Sequence, residues 1–220
     1  MDAGPHELTL TVDGVELTGT FGAVAEPFGI VAFAHGTGSS RFSPRNQMVA
    51  GVLNSHGLAT LLLDLLTAEE EEAERTTAHL RFDVEMLGRR MTDVVRWMRA
   101  QDALAHLPVG LFGASTGAAA ALIAAANEPE AVRAVVSRGG RPDLAASTIP
   151  AVQAPTLLIV GGDDHAVVDL NRGVLELFTV EASLEIIPGA THLFSEPGAL
   201  DRVADLAAAW FRGHLRAERE

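Results

Sequence analysis

The hydrophobic positions of this chain change their period once, early on. Over residues 8–12 and 15–21 apolar and polar residues alternate, and Asp13-Gly14 lies between the two runs. A period of two predicts half-buried strands, and a glycine that takes positive φ freely suits the tight turn of an antiparallel hairpin. Beyond it the alternation gives way to short runs that are apolar throughout, at 30–34, 59–63, 109–112, 131–136, 156–160 and 184–187. Runs with no polar face predict strands buried on both sides, as in a parallel sheet.

Between these runs the apolar residues recur at helical spacing, which predicts helices over 44–54, 82–99, 115–126, 168–178 and 199–215. Strand and helix alternate almost to the end. The expected fold is therefore a single α/β domain over residues 1–220: a mostly parallel central sheet with an antiparallel N-terminal hairpin and helices on both faces. Ligands of such a sheet bind at the carboxyl ends of its strands. One segment departs from the pattern, Glu69-Glu70-Glu71-Glu72-Ala73-Glu74. So dense a block of like charge reads as a solvated loop or helix face, or as a flap over the strand ends.

Composition removes several chemistries. All 16 basic residues are Arg, and the chain has no Lys, Cys or Tyr. Without Lys there is no Schiff base, no pyridoxal anchor and no P-loop lysine. Without Cys there is no thiol nucleophile, disulfide or iron–sulfur cluster. A net charge of −13 repels phosphate backbones and anionic lipid, so neither nucleic acid nor membrane is an expected partner. The first residues carry no basic region followed by an apolar run, so no signal peptide is read and a cytoplasmic location is expected. The most apolar stretch, 117–126, is far shorter than the ~20 residues of a membrane span and reads as a buried helix.

The chemistry is concentrated after the strand at 109–112, where Gly113-Ala114-Ser115-Thr116-Gly117 leads into an Ala-rich helix. This is G-x-S-x-G in a strand-turn-helix context: the glycines permit a cramped turn that lifts the serine above the sheet, and the helix start offers amides to an oxyanion. The same glycines do not form the G-x-G-x-x-G of a dinucleotide site, and Ser137 and Arg138 stand where that site needs an acid. Ser115 is also a plausible plain N-cap.

A serine nucleophile needs a base, and the base an orienting acid. The strand at 156–160 runs into Gly161-Gly162-Asp163-Asp164-His165, and the strand at 184–187 into Pro188-Gly189-Ala190-Thr191-His192. Serine, then aspartate, then histidine, each on the loop after a different strand, is the chain order of an α/β-hydrolase triad. Asp163, Asp164 and His165 lack the partners at suitable spacing that a metal site requires, so neither metal nor cofactor is expected.

With these motifs and His35-Gly36-Thr37-Gly38-Ser39 after the strand at 30–34, nearly the whole chain resembles α/β-hydrolases of the dienelactone-hydrolase-like group. The namesake enzymes carry Cys where this chain has Ser115, so the resemblance implies a serine esterase rather than activity on dienelactone itself. It further implies Ser115 as nucleophile, His192 as base and acid, and Asp164 as orienting carboxylate, with Asp163 the alternative. The backbone amides of Thr37 and Thr116 would form the oxyanion hole. Similar domains also occur joined to phosphoribosyltransferases, and no phosphoribosyl-binding half is read in these 220 residues.

Three arginines, Arg41, Arg138 and Arg141, are candidates for binding a substrate carboxylate, and Arg45 shares their ambiguity. Surface pairing, for instance of Arg141 with Asp143, is the competing reading. His35 is expected to anchor its loop, and Trp97, Phe194 and Trp210 to pack in the core. The expected activity is cleavage of a small ester through an acyl-enzyme. A thioesterase or acyltransferase would use the same residues, and a binding module on this fold would use none of them catalytically.

Overall fold

The computed structural model describes residues 4–36, 38–77 and 80–216. The chain opens with the hairpin β1 (His6–Val12) and β2 (Val15–Gly22), paired antiparallel with Val12 opposite Val15. Asp13 and Gly14 both take positive φ in the turn, +49° and +76°. Six further strands follow: β3 (Ile30–Ala34), β4 (Ala59–Leu63), β5 (Val109–Ala114), β6 (Val132–Arg138), β7 (Thr156–Gly161) and β8 (Ala182–Ile187). The sheet order is β1-β2-β4-β3-β5-β6-β7-β8, parallel from β4 to β8 and antiparallel at the hairpin. This is the mostly parallel sheet with an antiparallel N-terminal hairpin that the periodicity predicts, in the α/β-hydrolase arrangement that the resemblance implies.

Every residue of β3, β4, β5 and β7 is buried, which explains why these strands read as unbroken apolar runs. Two helices cover one face, α1 (Pro44–Ser55) and α6 (Ala199–Leu215), against Phe33, Phe112 and Val136. On the other face lie α3 (Val84–Ala100) and α4 (Gly117–Asn127), packed on Ala32, Leu111 and Val135. The ten-residue apolar run is indeed a core helix: all of Gly117 to Ala125 in α4 is buried. Among the described residues no helix is long and apolar enough to cross a membrane.

A glycine of α3 serves its packing on α4. A Cβ at Gly88 of α3 would lie 2.5 Å from Ile123 Cγ2 and 2.7 Å from its Cβ. The helices therefore cross at a distance that only glycine allows. Helix boundaries follow local chemistry. Asp83 accepts from the Met86 amide at 2.9 Å and starts α3 two residues later than the apolar period suggests. The helix expected over 168–178 is α5 (His165–Val174), ending in a 3₁₀ turn at Leu175–Leu177.

Two departures bear on the site. Strand β6 runs to Arg138 rather than stopping at residue 136, which carries Ser137 and Arg138 into the sheet. The acidic segment is neither a loop nor wholly solvated: it is helix α2 (Ala68–Thr77), and Glu74 is only 6% exposed.

The glycines give a paired stability test. Gly88→Ala should lower the urea midpoint by the equivalent of about 1–3 kcal/mol, the usual cost of overpacking. Gly51→Ala, in α1 where among the described residues the added methyl would meet nothing within 4 Å beyond its own stretch of helix, should raise it by about 0.5–1 kcal/mol through helix propensity. Equal effects of the two substitutions would contradict the close crossing of α3 and α4.

Candidate active site

Sheet order reverses between β3 and β5, because the chain leaves β3 for β4 on one side and later enters β5 on the other. The loops after these two strands diverge there, and such a switch point is where open α/β sheets bind ligands. The loop after β5 holds Ser115, whose φ is +52°. For a residue with a side chain this conformation costs about 1–3 kcal/mol and persists only where the surroundings impose it. They do so through three backbone hydrogen bonds: Ser115 N–H donates to the Arg138 carbonyl at 3.2 Å, while the Ser115 carbonyl accepts from Ala118 at 3.1 Å and Arg141 at 3.0 Å.

The flanking glycines are required for close approach, since the left-handed backbone falls on the serine itself. A Cβ on Gly113 would lie 2.4 Å from Ala118 Cα, and one on Gly117 would lie 2.2 Å from the Ala34 carbonyl oxygen. Ser115 is thus not the N-cap of α4, which starts at Gly117 after Thr116.

The loops after β7 and β8 are laced together. Gly162 N–H donates to Ile187 at 2.8 Å and Asp163 N–H to Ala190 at 2.9 Å, and a Cβ on Gly161 would strike the Ala190 oxygen at 2.4 Å. This lacing brings His192 Nδ1 to 2.6 Å from Asp164 Oδ2. The Asp164 side chain is 16% exposed and that of His192 42%. Asp163 is exposed, and no hydrogen bond of its carboxylate is seen among the described residues. His192 also adjoins the serine loop, for a Cβ on Gly139 would lie 3.5 Å from His192 Cε1, next to the Arg138 carbonyl that Ser115 engages. Three loops so converge on one rim.

Of the two expected oxyanion-hole residues, Thr116 is buried at the start of α4, and Thr37 lies outside the described residues. The preceding His35 anchors its loop as expected. Its Nδ1 lies 3.0 Å from the Gly36 oxygen, and its Nε2 lies 3.5 Å from the Leu65 amide. Beside Gly36 and Thr116 opens a pocket of about 280 Å³. Leu65, Leu66 and Leu87 give it apolar walls, and Glu71 and Glu74 of α2 roof it.

Helix α2 is held over this pocket by an arrangement that the sequence encodes but that the charge run obscures. Thr67 and Glu70 form a reciprocal capping box: Thr67 N–H donates to Glu70 Oε2 at 2.8 Å, and Glu70 N–H to Thr67 Oγ1 at 3.3 Å. Glu70 also takes two hydrogen bonds from Arg90 of α3, at 2.5 and 2.6 Å, and Arg90 donates to the Leu65 carbonyl at 2.7 Å. The Arg90 hydrogen bond holds the Glu70 carboxyl below the ordinary glutamate range. The T-x-x-E signature at Thr67-Ala68-Glu69-Glu70 was the available signal.

The three candidate arginines differ in what they hold. Arg41 is engaged by Asp64 and by Glu7 and lies over the Phe42 ring. Arg141 forms a bidentate pair with Asp143, at 2.8 and 2.7 Å, and that pairing raises its pKa. Both guanidinium groups are therefore committed to carboxylates of the chain, as the competing surface-pairing reading has it for Arg141. Arg138 is 9% exposed, and no ion pair or side-chain hydrogen bond of it is seen among the described residues. No cluster of three metal-ligating side chains occurs among them either.

Comparison with known proteins agrees with this architecture. Residues 24–212 match the model of the dienelactone hydrolase family. A crystal structure of dienelactone hydrolase from Anabaena variabilis is 55% identical, with a TM-score of 0.94 over 96% of this chain and 99% of that one. The esterase domain of a Rhodothermus marinus protein shares the fold at 18% identity, with a TM-score of 0.75 over 96% of this chain and 99% of its own. Two Mycobacterium tuberculosis proteins named "Putative phosphoribosyl transferase" are 53% identical over 210 residues, 96% of this chain. The chain spans 46% of the length of these two relatives.

Removing the Glu70 carboxylate should loosen the roof of the pocket. Glu70→Ala is expected to cost about 1–3 kcal/mol, the range for a lost cap and charged hydrogen bond, with amide exchange accelerating most in α2. The depressed Glu70 pKa makes the wild-type advantage complete above the ordinary glutamate pKa and lost as pH falls through the lowered value. Wild type and variant should converge in acid. A gap that persists there would argue against the ion pair as its source.

Proposed function

The chain belongs to the dienelactone hydrolase family, and we propose that it is a serine hydrolase that cleaves a small carboxylic ester through an acyl-enzyme. The observation that carries this reading is the 2.6 Å contact between His192 and Asp164 on the rim that also holds Ser115. In this proposal Ser115 Oγ attacks the ester carbonyl while His192 Nε2 accepts its proton. Asp164 receives the Nδ1–H bond, which fixes the tautomer and stabilises the imidazolium. His192 then returns the proton to the departing alkoxide. Water, deprotonated by the same imidazole, frees the acid.

The strained backbone at Ser115 supports the nucleophile assignment, because a left-handed serine at the top of a strand presents its hydroxyl outward. Among the described residues the hydroxyl makes no hydrogen bond, and contacts of this kind commonly tighten only when substrate binds. Developing charge on the carbonyl oxygen would meet the amides of Thr116 and Thr37, the former at the positive end of α4. The apolar side of the pocket would take the hydrocarbon part of the substrate.

Ser115→Ala should keep the fold and lower turnover of p-nitrophenyl esters by about 10⁶-fold. His192→Ala is expected to fall comparably and Asp164→Ala somewhat less, with Asp163→Ala near wild type. A fluorophosphonate probe should label the wild type and spare Ser115→Ala. Equal labelling of both proteins would sink the nucleophile, and a more damaging loss at Asp163 would sink the acid.

A further inference from the structure

Four consecutive residues at the end of β6 connect the members of the rim. The Arg138 carbonyl accepts from Ser115, Gly139 abuts His192, and the Arg141 amide donates to the Ser115 carbonyl at 3.0 Å. Gly140 makes a different connection: its carbonyl accepts from Asn171 Nδ2 at 3.0 Å. A Cβ at Gly140 would lie 1.9 Å from Ser137 Oγ and 2.6 Å from Ala118 Cβ, so this segment is pressed onto the start of α4.

Asn171 belongs to α5, the helix that Asp164 begins. Asp164 occupies the cap position, yet its side chain makes no capping bond and goes to His192 instead. Asn171 follows about two turns later and is fully buried. Burying a side-chain amide is costly unless its hydrogens are bonded. Both are: one to Gly140, the other to the Val167 carbonyl one turn back, at 2.8 Å. The amide's orientation is thereby fixed, since the reverse would set Oδ1 against two carbonyl oxygens. The Val167 bond stays within the helix, whereas the Gly140 bond crosses from the acid's helix to the segment that holds the serine.

The sheet carries that connection only part of the way. Strand β6 pairs with β7 as far as Arg138 opposite Ile159, and Gly139 N–H adds a bond to the Ile159 carbonyl at 2.7 Å. Past that point the segment lies outside the ladder. Ser137 supplies the contrast, for its hydroxyl is buried beside Gly140 and makes no hydrogen bond among the described residues.

We propose that Asn171 is a positioning residue of the candidate site: its amide holds residues 139–141, and through them Ser115 and His192, in register with the helix that starts at Asp164. The lacing of the loops after β7 and β8 sets the contact between His192 and Asp164, and Asn171 sets where that pair stands relative to the serine. The catalytic consequence rests on the hydrolase reading, while the tether is a matter of geometry. A displacement of ~1 Å between reacting groups is enough to cost on the order of 10²-fold in rate.

Asn171→Ser keeps a hydroxyl for the Val167 carbonyl and loses the reach to Gly140; Asn171→Ala stands in should the serine variant fail to fold. Both readouts are taken well below the melting temperature. Hydrogen exchange at the Ser115 and Arg141 amides should accelerate roughly tenfold or more, while the Gly162 and Asp163 amides keep wild-type rates. Labelling by a fluorophosphonate should slow by about 10–100-fold, with the midpoint of its pH profile unmoved because His192 retains Asp164. Ser137→Ala should match wild type in both readouts. Wild-type exchange at Ser115 and Arg141 in the folded variant, or an equal effect of Ser137→Ala, overturns the tether. Wild-type labelling despite faster exchange overturns its catalytic role. A wild type that takes no label overturns the hydrolase reading and that role together, and the exchange rates still decide the tether.

Discussion

The structure depends on one backbone contact, the approach of the α4 start to the end of β3. The space between Gly117 and the Ala34 carbonyl is too small for a methyl group, and the same holds between Gly36 and Ser115 Cβ. Closing that space forces the turn between β5 and α4 into its left-handed conformation at Ser115. It also sets the Gly36 loop against the serine at the one place where the sheet order reverses. Fold and candidate site are therefore joined by a steric constraint that many other residues support: the bonds to Arg138 and Arg141 hold the turn, and the buried α4 holds the bonds.

Much of this was legible because parallel strands and their loops are written locally. The strands at 30–34 and 59–63 appear with the boundaries that their apolar runs predict, and the helix at 199–215 does likewise. The loops after β5, β7 and β8 announce themselves by glycine next to Ser, Asp or His. That His192 meets Asp164 instead of its neighbour is not local. It follows from the lacing of the two loops, in which Asp163 spends its amide on Ala190 and turns its side chain to solvent.

Charge was the part that pattern could not resolve. Four arginines near the strand ends look equivalent in sequence, yet Arg41 and Arg141 are paired with carboxylates, and among the described residues Arg138 and Arg45 are not. The difference lies in partners as remote in sequence as Glu7 and Asp64, and in the two extra residues of β6 that pull Arg138 inward. The glutamate run left loop, helix face and flap open for a related reason: its charge alone does not show that Thr67 and Arg90 supply the bonds that dock it as a helix.

Helix α2 divides its labour between faces. Glu70 grips α3 through Arg90, whereas Glu71 and Glu74, three apart and so on one side, look into the cavity. Glu74 also accepts the Leu80 amide at 2.7 Å, so it fastens the end of the segment as well as lining the cavity. Anchorage and lining are separable at Glu71, where a substitution alters the wall of the cavity and leaves the clasp between Glu70 and Arg90 intact.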